Sequence, residues 1–278
     1  MGEVSELAMM IADEIKKRTK CEHYRMVLNE ERAPKVTDSK IGGQPYWPCD
    51  MVYPTDRRGE PMLMVMQINC AEAGLKSPLP ERGMLQWFIS LDPDRQYGCR
   101  GNYDDDGEGF RIVYHSEVTD GPILTDVPTH DSVETMLTPV KREVTIDVKP
   151  EETAMGVDDG HFNGLFFDVV KEITGTEHVG KMWYGFLNND DCLYFERNLG
   201  MRAPCHQLMG YPVYEQEEAR RDMMTHDFLL LELASQFSTV DDKELVMWGD
   251  MGNGLVFVNH DDLATLDFSR AYYCWDCG

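Results

Sequence analysis

The chain has 278 residues, 42% of them hydrophobic, which is enough to bury a substantial core as one large domain or two small ones. Its 50 acidic and 26 basic residues give a formal net charge of -24, which repels phosphate backbones and argues against direct nucleic-acid binding. This acidity is either generic to cytosolic bacterial-type proteins or an electrostatic surface for a basic protein partner. The sequence has no signal-like start and no run of the ~20 apolar residues that a membrane span needs, so we expect a cytoplasmic protein without a membrane segment.

The first predicted element is an amphipathic helix over about residues 3–18. Apolar side chains recur along one helical stripe, and basic residues close the segment, where the helix dipole favours positive charge. Because the polar face carries acidic as well as basic side chains, we expect this helix to pack against the body of the protein rather than lie on a membrane.

A shaped loop follows at "SKIGGQPYWP", where Gly42 and Gly43 permit positive φ and Pro45 and Pro48 fix extended backbone. Apolar runs bounded by turn residues then predict strands at residues 63–68, 84–89, 110–114, 144–148, 181–187, 228–233, 245–248 and 255–258. Helices are predicted at residues 165–173, 215–224 and 261–266.

Strands joined by short turns dominate this order, which predicts an α+β fold of mostly antiparallel sheets with a few helices. The segments "MLMVMQINCAEAG" and "GMLQWFISLDPD" share an order of features with "FLLLELASQF" and "GLVFVNHDD". Either an internal duplication or a chance match between apolar strands explains this likeness. We expect one domain over residues 1–278, with a seam in the polar, Pro-containing stretch 119–150.

The chain ends in "CWDCG", for which a metal site, a redox site and a structural tail are the alternatives. Structural zinc needs four ligands, and the only second pair, Cys205 with His206, has the wrong spacing for a zinc knuckle. A redox dithiol favours a helix N-terminus, whereas Cys277 is followed only by Gly278. We therefore expect a final strand packed into the body, with Cys277 as a small buried side chain, and no metal or cofactor.

Four stretches now carry a family resemblance: "SKIGGQPYWP", "MQINCAEAG" leading to "PLPERGMLQWFIS", "HQLMGYPVYEQEEAR", and "VMWGDMGNGLVFVNHDDLATLDFSRAYYCWDCG". In this order they resemble the successive signatures of the YwqG-like family, a bacterial domain family of unknown function, from about residue 40 to the end. The resemblance implies a compact cytosolic α+β domain and brings no established substrate, cofactor or catalytic residue. Some relatives are encoded near polymorphic-toxin systems, which implies an immunity or partner-binding role.

Two functions stay open on the sequence. The first is a non-catalytic, immunity-type protein that binds a basic protein partner through an acidic face, with exposed aromatic residues at Tyr46, Trp47 and Tyr211 as anchors. The second is a small-ligand-binding protein or enzyme whose pocket lies between the loop at residues 42–47 and Asp250. Neither G-x-S-x-G nor H-E-x-x-H is present, so no reaction class is indicated. The ligand-binding or partner-binding residues predicted by these two hypotheses are Gln44, Tyr46, Trp47, Gln67, Gln86, Tyr211, Trp248 and Asp250.

Overall fold

The computed structural model describes residues 4–103, 106–201, 205–216 and 226–278. Helices and strands alternate irregularly along these residues. Their bounds, in chain order, are α1 Glu6–Thr19, β1 Cys21–Asn29, β2 Lys40–Ile41, β3 Leu63–Asn69, β4 Met84–Ile89, β5 Phe110–His115, β6 Val144–Thr153, α2 Phe162–Thr174, α3 Asn189–Asn198, β7 Gln207–Leu208, β8 Phe228–Ala234, β9 Gln236–Phe237, β10 Glu244–Val246, β11 Asn253–Val258, α4 His260–Ala264 and β12 Tyr272–Asp276.

Ten of these strands form one sheet in the order β12-β11-β8-β7-β1-β6-β2-β3-β4-β5, while β9 and β10 pair separately. Every neighbouring pair in the large sheet is antiparallel. The sheet curls until its two edges approach each other, and Phe110 of β5 lies 5.3 Å from Tyr273 of β12, measured between ring centroids. The segment before β5 also contacts β12, because the Trp275 amide donates to Asn102 O at 2.8 Å. The predicted α+β fold with mostly antiparallel sheets is confirmed.

The strand order is symmetric about the contact between β1 and β6. On one side lie β6-β2-β3-β4-β5, and on the other lie β1-β7-β8-β11-β12, in the same sequential order. The strand β6, from the second half of the chain, therefore belongs to the spatial half formed by β2 to β5, and β1, from the first half of the chain, belongs to the other. The two segments suspected of duplication become β3 with β4 and β8 with β11, which occupy equivalent positions in the two halves. The connection between the halves runs through residues 116–143 and overlaps the predicted seam.

Strand β1 is absent from the sequence prediction, although it is the longest strand partner of β6, with nine residue pairs from Cys21↔Thr153 to Asn29↔Thr145. Its side chains do alternate, because Tyr24, Met26 and Leu28 are buried while the residues between them are exposed. The charged residues among them hid this period-two pattern.

Three helices form a layer with its own apolar core, next to the beginning of β1 and the end of β6. The predicted N-terminal helix is confirmed as α1, which Ser5 caps by accepting a hydrogen bond from the Ala8 amide. Ser5 also ties α1 to α3, because its amide and its hydroxyl each donate to the Asp191 carboxylate at 2.8 Å. Arg18 forms an ion pair with Glu172 and so links α1 to α2.

The strand predicted at residues 181–187 is wrong. This segment instead contains a 3₁₀ turn, Trp183–Gly185, because Asn163 on α2 accepts a hydrogen bond from the Trp183 amide at 2.8 Å. The apolar run reflects packing of Trp183 on Phe195 of α3, with 6.0 Å between ring centroids, rather than strand alternation. Helix α3 was also missed, although Asn188 caps it through the Asp191 amide in a recognisable cap pattern. Most of the helix predicted at residues 215–224 lies outside the described residues.

Candidate functional site

Four of the predicted site residues meet in one buried cluster, here called the amide cluster, on the face of the sheet that packs against the loop at residues 42–47. Gln67 and Gln86 lie opposite each other on β3 and β4. Gln67 Oε1 accepts a hydrogen bond from the Tyr46 amide at 2.9 Å, and Gln86 Nε2 donates to Tyr46 O at 2.8 Å. His115 completes the cluster, with its Nε2 2.9 Å from Gln86 Oε1 and its ring 4.9 Å from Trp47. The cluster holds the loop backbone onto the sheet.

The protonation states in the amide cluster follow from these bonds. Because Gln86 Nε2 donates to a carbonyl, Gln86 Oε1 is the acceptor and His115 Nε2 carries the hydrogen. Burial lowers the pKa of His115, so this imidazole is neutral near pH 7. The amide cluster is therefore neutral, and its hydrogen bonds hold the backbone of Tyr46 in place.

The expectation that Tyr46 and Trp47 are exposed anchors is wrong, since their exposed fractions are only 1% and 2%. Trp47 lies between Phe88 and Tyr53 in a small apolar core of its own. Gln44, half-buried on the same loop, donates from Nε2 to Leu124 O at 2.8 Å. The aromatic and proline residues of the loop therefore fix its shape instead of lining an open surface.

The remaining predicted residues lie elsewhere. Trp248 is buried and stacks on Trp87 of β4, with 5.4 Å between ring centroids. Because neighbouring residues of a strand point to opposite faces of the sheet, Trp248 lies on the face opposite to Gln86. Asp250 is exposed in the turn before β11. Tyr211 is half-buried near the helical layer, where its hydroxyl donates to Thr19 O at 2.9 Å. The structure thus does not bring the loop at residues 42–47 and the "WGDMG" turn together around one pocket.

A second buried cluster, here called the carboxyl cluster, occupies the equivalent place in the other half and was missed by the sequence analysis. Glu232 on β8 is fully buried, and its Oε2 accepts from Gln207 Nε2 at 2.8 Å while its Oε1 accepts from Asn253 Nδ2 at 2.9 Å. Asn253 Nδ2 also donates to Val213 O at 2.7 Å, and Gln207 Nε2 donates to Tyr211 O at 2.9 Å. This cluster ties the loop at residues 211–216 to the sheet, as the amide cluster ties residues 42–47.

The two clusters differ because their surroundings offer different partners. Gln67 Nε2 has two backbone carbonyls to bind, Val36 O at 2.7 Å and Asp38 O at 2.8 Å, which suit an amide. Glu232 instead meets side-chain donors at both oxygens, which suits a carboxylate. Burial raises the pKa of Glu232, while these side-chain donors and the backbone N–H groups of Val213 and Cys205 lower it.

Two further titratable groups extend the carboxyl cluster. His23 on β1 lies 2.9 Å from Gln207 Oε1 through its Nδ1, and burial lowers its pKa. Asp276 on β12 lies opposite Asn253, and its Oδ2 accepts from the Glu215 amide at 2.8 Å and the Gln216 amide at 3.2 Å. Burial raises the pKa of Asp276. When β3 and β8 are aligned from their first residues, Leu63 and Phe228, Glu232 falls on Gln67.

The C-terminal motif forms part of β12. Cys274 is fully buried and Cys277 is half-buried, with Cys277 packed beside Gly249 of the turn before β11. The predicted final strand is confirmed, but its fully buried cysteine is Cys274. Among the described residues, no group of three or more His, Cys, Asp or Glu side chains is arranged to hold a metal ion. In the same part of the chain, no helix has the length and apolarity to cross a membrane.

These features define an α+β protein with one curled antiparallel sheet, in which two interlocked halves each use a buried polar cluster to hold a loop. The chain belongs to a family described as a domain of unknown function, DUF1963, whose family model matches residues 39–277. No curated protein matches this chain. The matched region begins after β1, so it omits the strand beside β6 at the centre of the sheet.

Proposed function

We propose that this protein is a non-catalytic, cytoplasmic binding protein that takes a basic protein partner on its helical layer. The finer family label, YwqG-like, and an immunity-type role belong to the same proposal and rest on the sequence motifs. The observation that carries the proposal is an exposed apolar surface, here called the helical patch, formed by Val179, Met182, Tyr184 and Leu193, whose exposed fractions run from 41% to 85%.

The helical patch is built on anchored backbone. Cys192 Sγ donates to Tyr184 O at 3.7 Å, which holds the backbone of Tyr184 against the part of α3 that carries Leu193. At the other end of the segment, the ring of His178 contacts Phe186 at 4.8 Å. A partner that docks here would meet a preformed surface and lose little affinity to ordering it. A tyrosine in such a patch is typical of residues that dominate binding energy.

The surroundings of the patch suit a basic partner. Asp190 and Glu196 flank Leu193 by one helical turn on either side, whereas Glu177 forms an ion pair with Lys171 at 3.3 Å and the exposed Lys181 lies between Val179 and Met182. Carboxylates around an apolar centre steer a positively charged protein and suppress acidic competitors. The net charge of -24 also attracts a positively charged protein over long distances.

The alternative of a small-ligand pocket near residues 42–47 and Asp250 receives less support. Its aromatic and amide side chains are buried and hydrogen-bonded to one another, and Asp250 lies apart from them.

The proposal is tested by affinity capture from a lysate of the source organism with three versions of the full chain. These are the natural protein, a Tyr184→Ser/Leu193→Ser variant, and a Val52→Ser control at an apolar residue that is 92% exposed elsewhere. We expect a basic protein to bind the natural and control proteins at low salt, to be released at moderate salt, and to be lost from the patch variant. Equal capture by all three would contradict the proposal, provided that their melting temperatures agree.

A further inference from the structure

The carboxyl cluster contains two buried oxygens that accept no hydrogen bond. Asn253 Oδ1 and Asp276 Oδ1 are both shielded from solvent and have no partner among the described residues. The orientation of the Asn253 amide is fixed, because its Nδ2 donates to both Val213 O and Glu232 Oε1. Asn253 and Asp276 are register partners on β11 and β12, so their side chains project from the same face of the sheet.

Two acceptor oxygens on facing side chains are costly unless a donor lies between them. A proton on Asp276 Oδ1 supplies that donor and satisfies both atoms at once. A proton on Glu232 would find no such acceptor, because Gln207 and Asn253 both present N–H groups to its oxygens. The hydrogen-bond geometry therefore favours Asp276 as the protonated member of the pair.

We propose that Asp276 is a carboxylic acid at neutral pH, that its Oδ1 donates to Asn253 Oδ1, and that this proton keeps the loop at residues 211–216 tied to the sheet. The tie is the bond from Asn253 Nδ2 to Val213 O. When Asp276 loses the proton, Asn253 can satisfy it only by turning its amide, which directs Nδ2 away from Val213. The position of one proton thereby sets how the loop is held.

The groups around Asp276 agree with proton retention. Burial and the nearby Glu215 carboxylate raise the pKa of Asp276. The backbone N–H groups of Glu215, Gln216 and Asn253 lower this pKa, and the raising effects prevail. The titratable groups on the elements packed around Asp276 and Glu232 are acidic or weakly acidic, apart from His23, which burial favours as neutral, and Arg25, a cation that lies 3.9 Å from Glu151. The acidic and weakly acidic groups are Glu215, Tyr103, Asp250, Cys277, Cys205 and Glu151.

The test is carbon-13 NMR of the full chain with labelled Asp and Glu carboxyl groups, followed from pH 5 to pH 9. We expect one aspartate resonance to stay at the protonated position at pH 7, to be absent in D276N, and to persist in D158N. Asp158 is the matched control because burial also raises its pKa. The Val213 amide signal should shift with the same midpoint as that resonance.

Three results would overturn the proposal: every aspartate resonance at the ionised position at pH 7, loss of the protonated resonance in D158N, or a protonated glutamate resonance in its place. D276N itself should fold, because an asparagine amide can donate to Asn253 Oδ1 as the acid does. If D276N does not fold, the natural protein and D158N still decide the outcome.

Discussion

At Gly43, two requirements for glycine coincide at one residue. The backbone has φ of 69°, and a Cβ would lie 2.1 Å from the Glu143 carboxyl carbon. Glu143 cannot move freely, because it accepts a hydrogen bond at 2.7 Å from Lys40, whose side chain is 1% exposed. The Gly-Gly pair in the predicted loop is therefore needed for the close approach of a charged pair as well as for the turn.

Gly43→Ala should destabilise the protein more than Gly74→Ala. Gly74 has φ of 64° but nothing within 4 Å of its Cβ position, so its substitution measures the backbone cost alone, ~1 kcal/mol. At Gly43 the displaced Glu143 leaves Lys40 buried without its partner, which adds roughly 2 kcal/mol or more. The free energies of unfolding in denaturant measure the difference, and equal losses in the two variants would show that Glu143 is not constrained.

His206 should make the protein less stable in mild acid. Burial lowers its pKa to about 4, and its Nδ1 accepts from the Ala234 amide at 3.1 Å, so the folded protein holds it neutral. Between pH 6.5 and about pH 4, His206 is protonated in the unfolded chain but stays neutral in the folded protein. Stability therefore falls as pH falls, by roughly 1.4 kcal/mol per pH unit at most.

In His206→Gln this part of the acid sensitivity should disappear. Urea unfolding at pH 7, 6, 5 and 4.5 gives the comparison, with His260→Gln as a control because His260 is exposed. Parallel stability curves for the natural protein and His206→Gln would refute the assignment.

Single residues show where sequence reasoning worked at this scale. It grouped Gln67 and Gln86 with Tyr46 and Trp47, and these four do meet. It misjudged their exposure, because aromatic residues between prolines occur both in binding surfaces and in loops with a buried core. Glu232 was not found, since a lone acid in an apolar strand reveals its partners only after the strands pair.

At the scale of elements, the strands with uninterrupted apolar runs were predicted with small errors in their bounds. Strand β4 begins and ends at the predicted residues, and β3 and β8 each extend one residue further. Strand β1 and helix α3 were missed because charged or polar residues dilute their patterns, and tertiary pairing decides them. The segment at residues 181–187 shows the opposite error, in which aromatic packing imitates a strand.

A fragment of residues 39–278, which keeps the region matched by the family model, should not fold alone. It lacks β1, so the long ladder of β6 and the contact of β7 with the centre of the sheet have no partner. We expect no cooperative thermal transition for this fragment, and recovery of one when a peptide of residues 4–38 is added. A fragment that melts cooperatively like the full chain would show that the halves are less interlocked than the strand order indicates.

At the scale of the whole molecule, two interlocked halves form one large sheet, and the helical layer adds a separate apolar core with an exposed edge. The internal polar clusters hold loops in place, while the helical patch faces outward among carboxylates. Composition alone predicted the acidic character and the basic partner. It could not locate the patch, because exposure depends on how α2, α3 and the segment between them pack.

The most direct test of this account is amide hydrogen exchange of the full chain, alone and with the salt-released partner from the capture experiment. We predict slower exchange on binding in residues 178–193, which span the helical patch, and unchanged exchange in residues 42–47. Slower exchange confined to residues 42–47 and 248–254, with residues 178–193 unchanged, would contradict the account and favour the pocket first expected from the sequence.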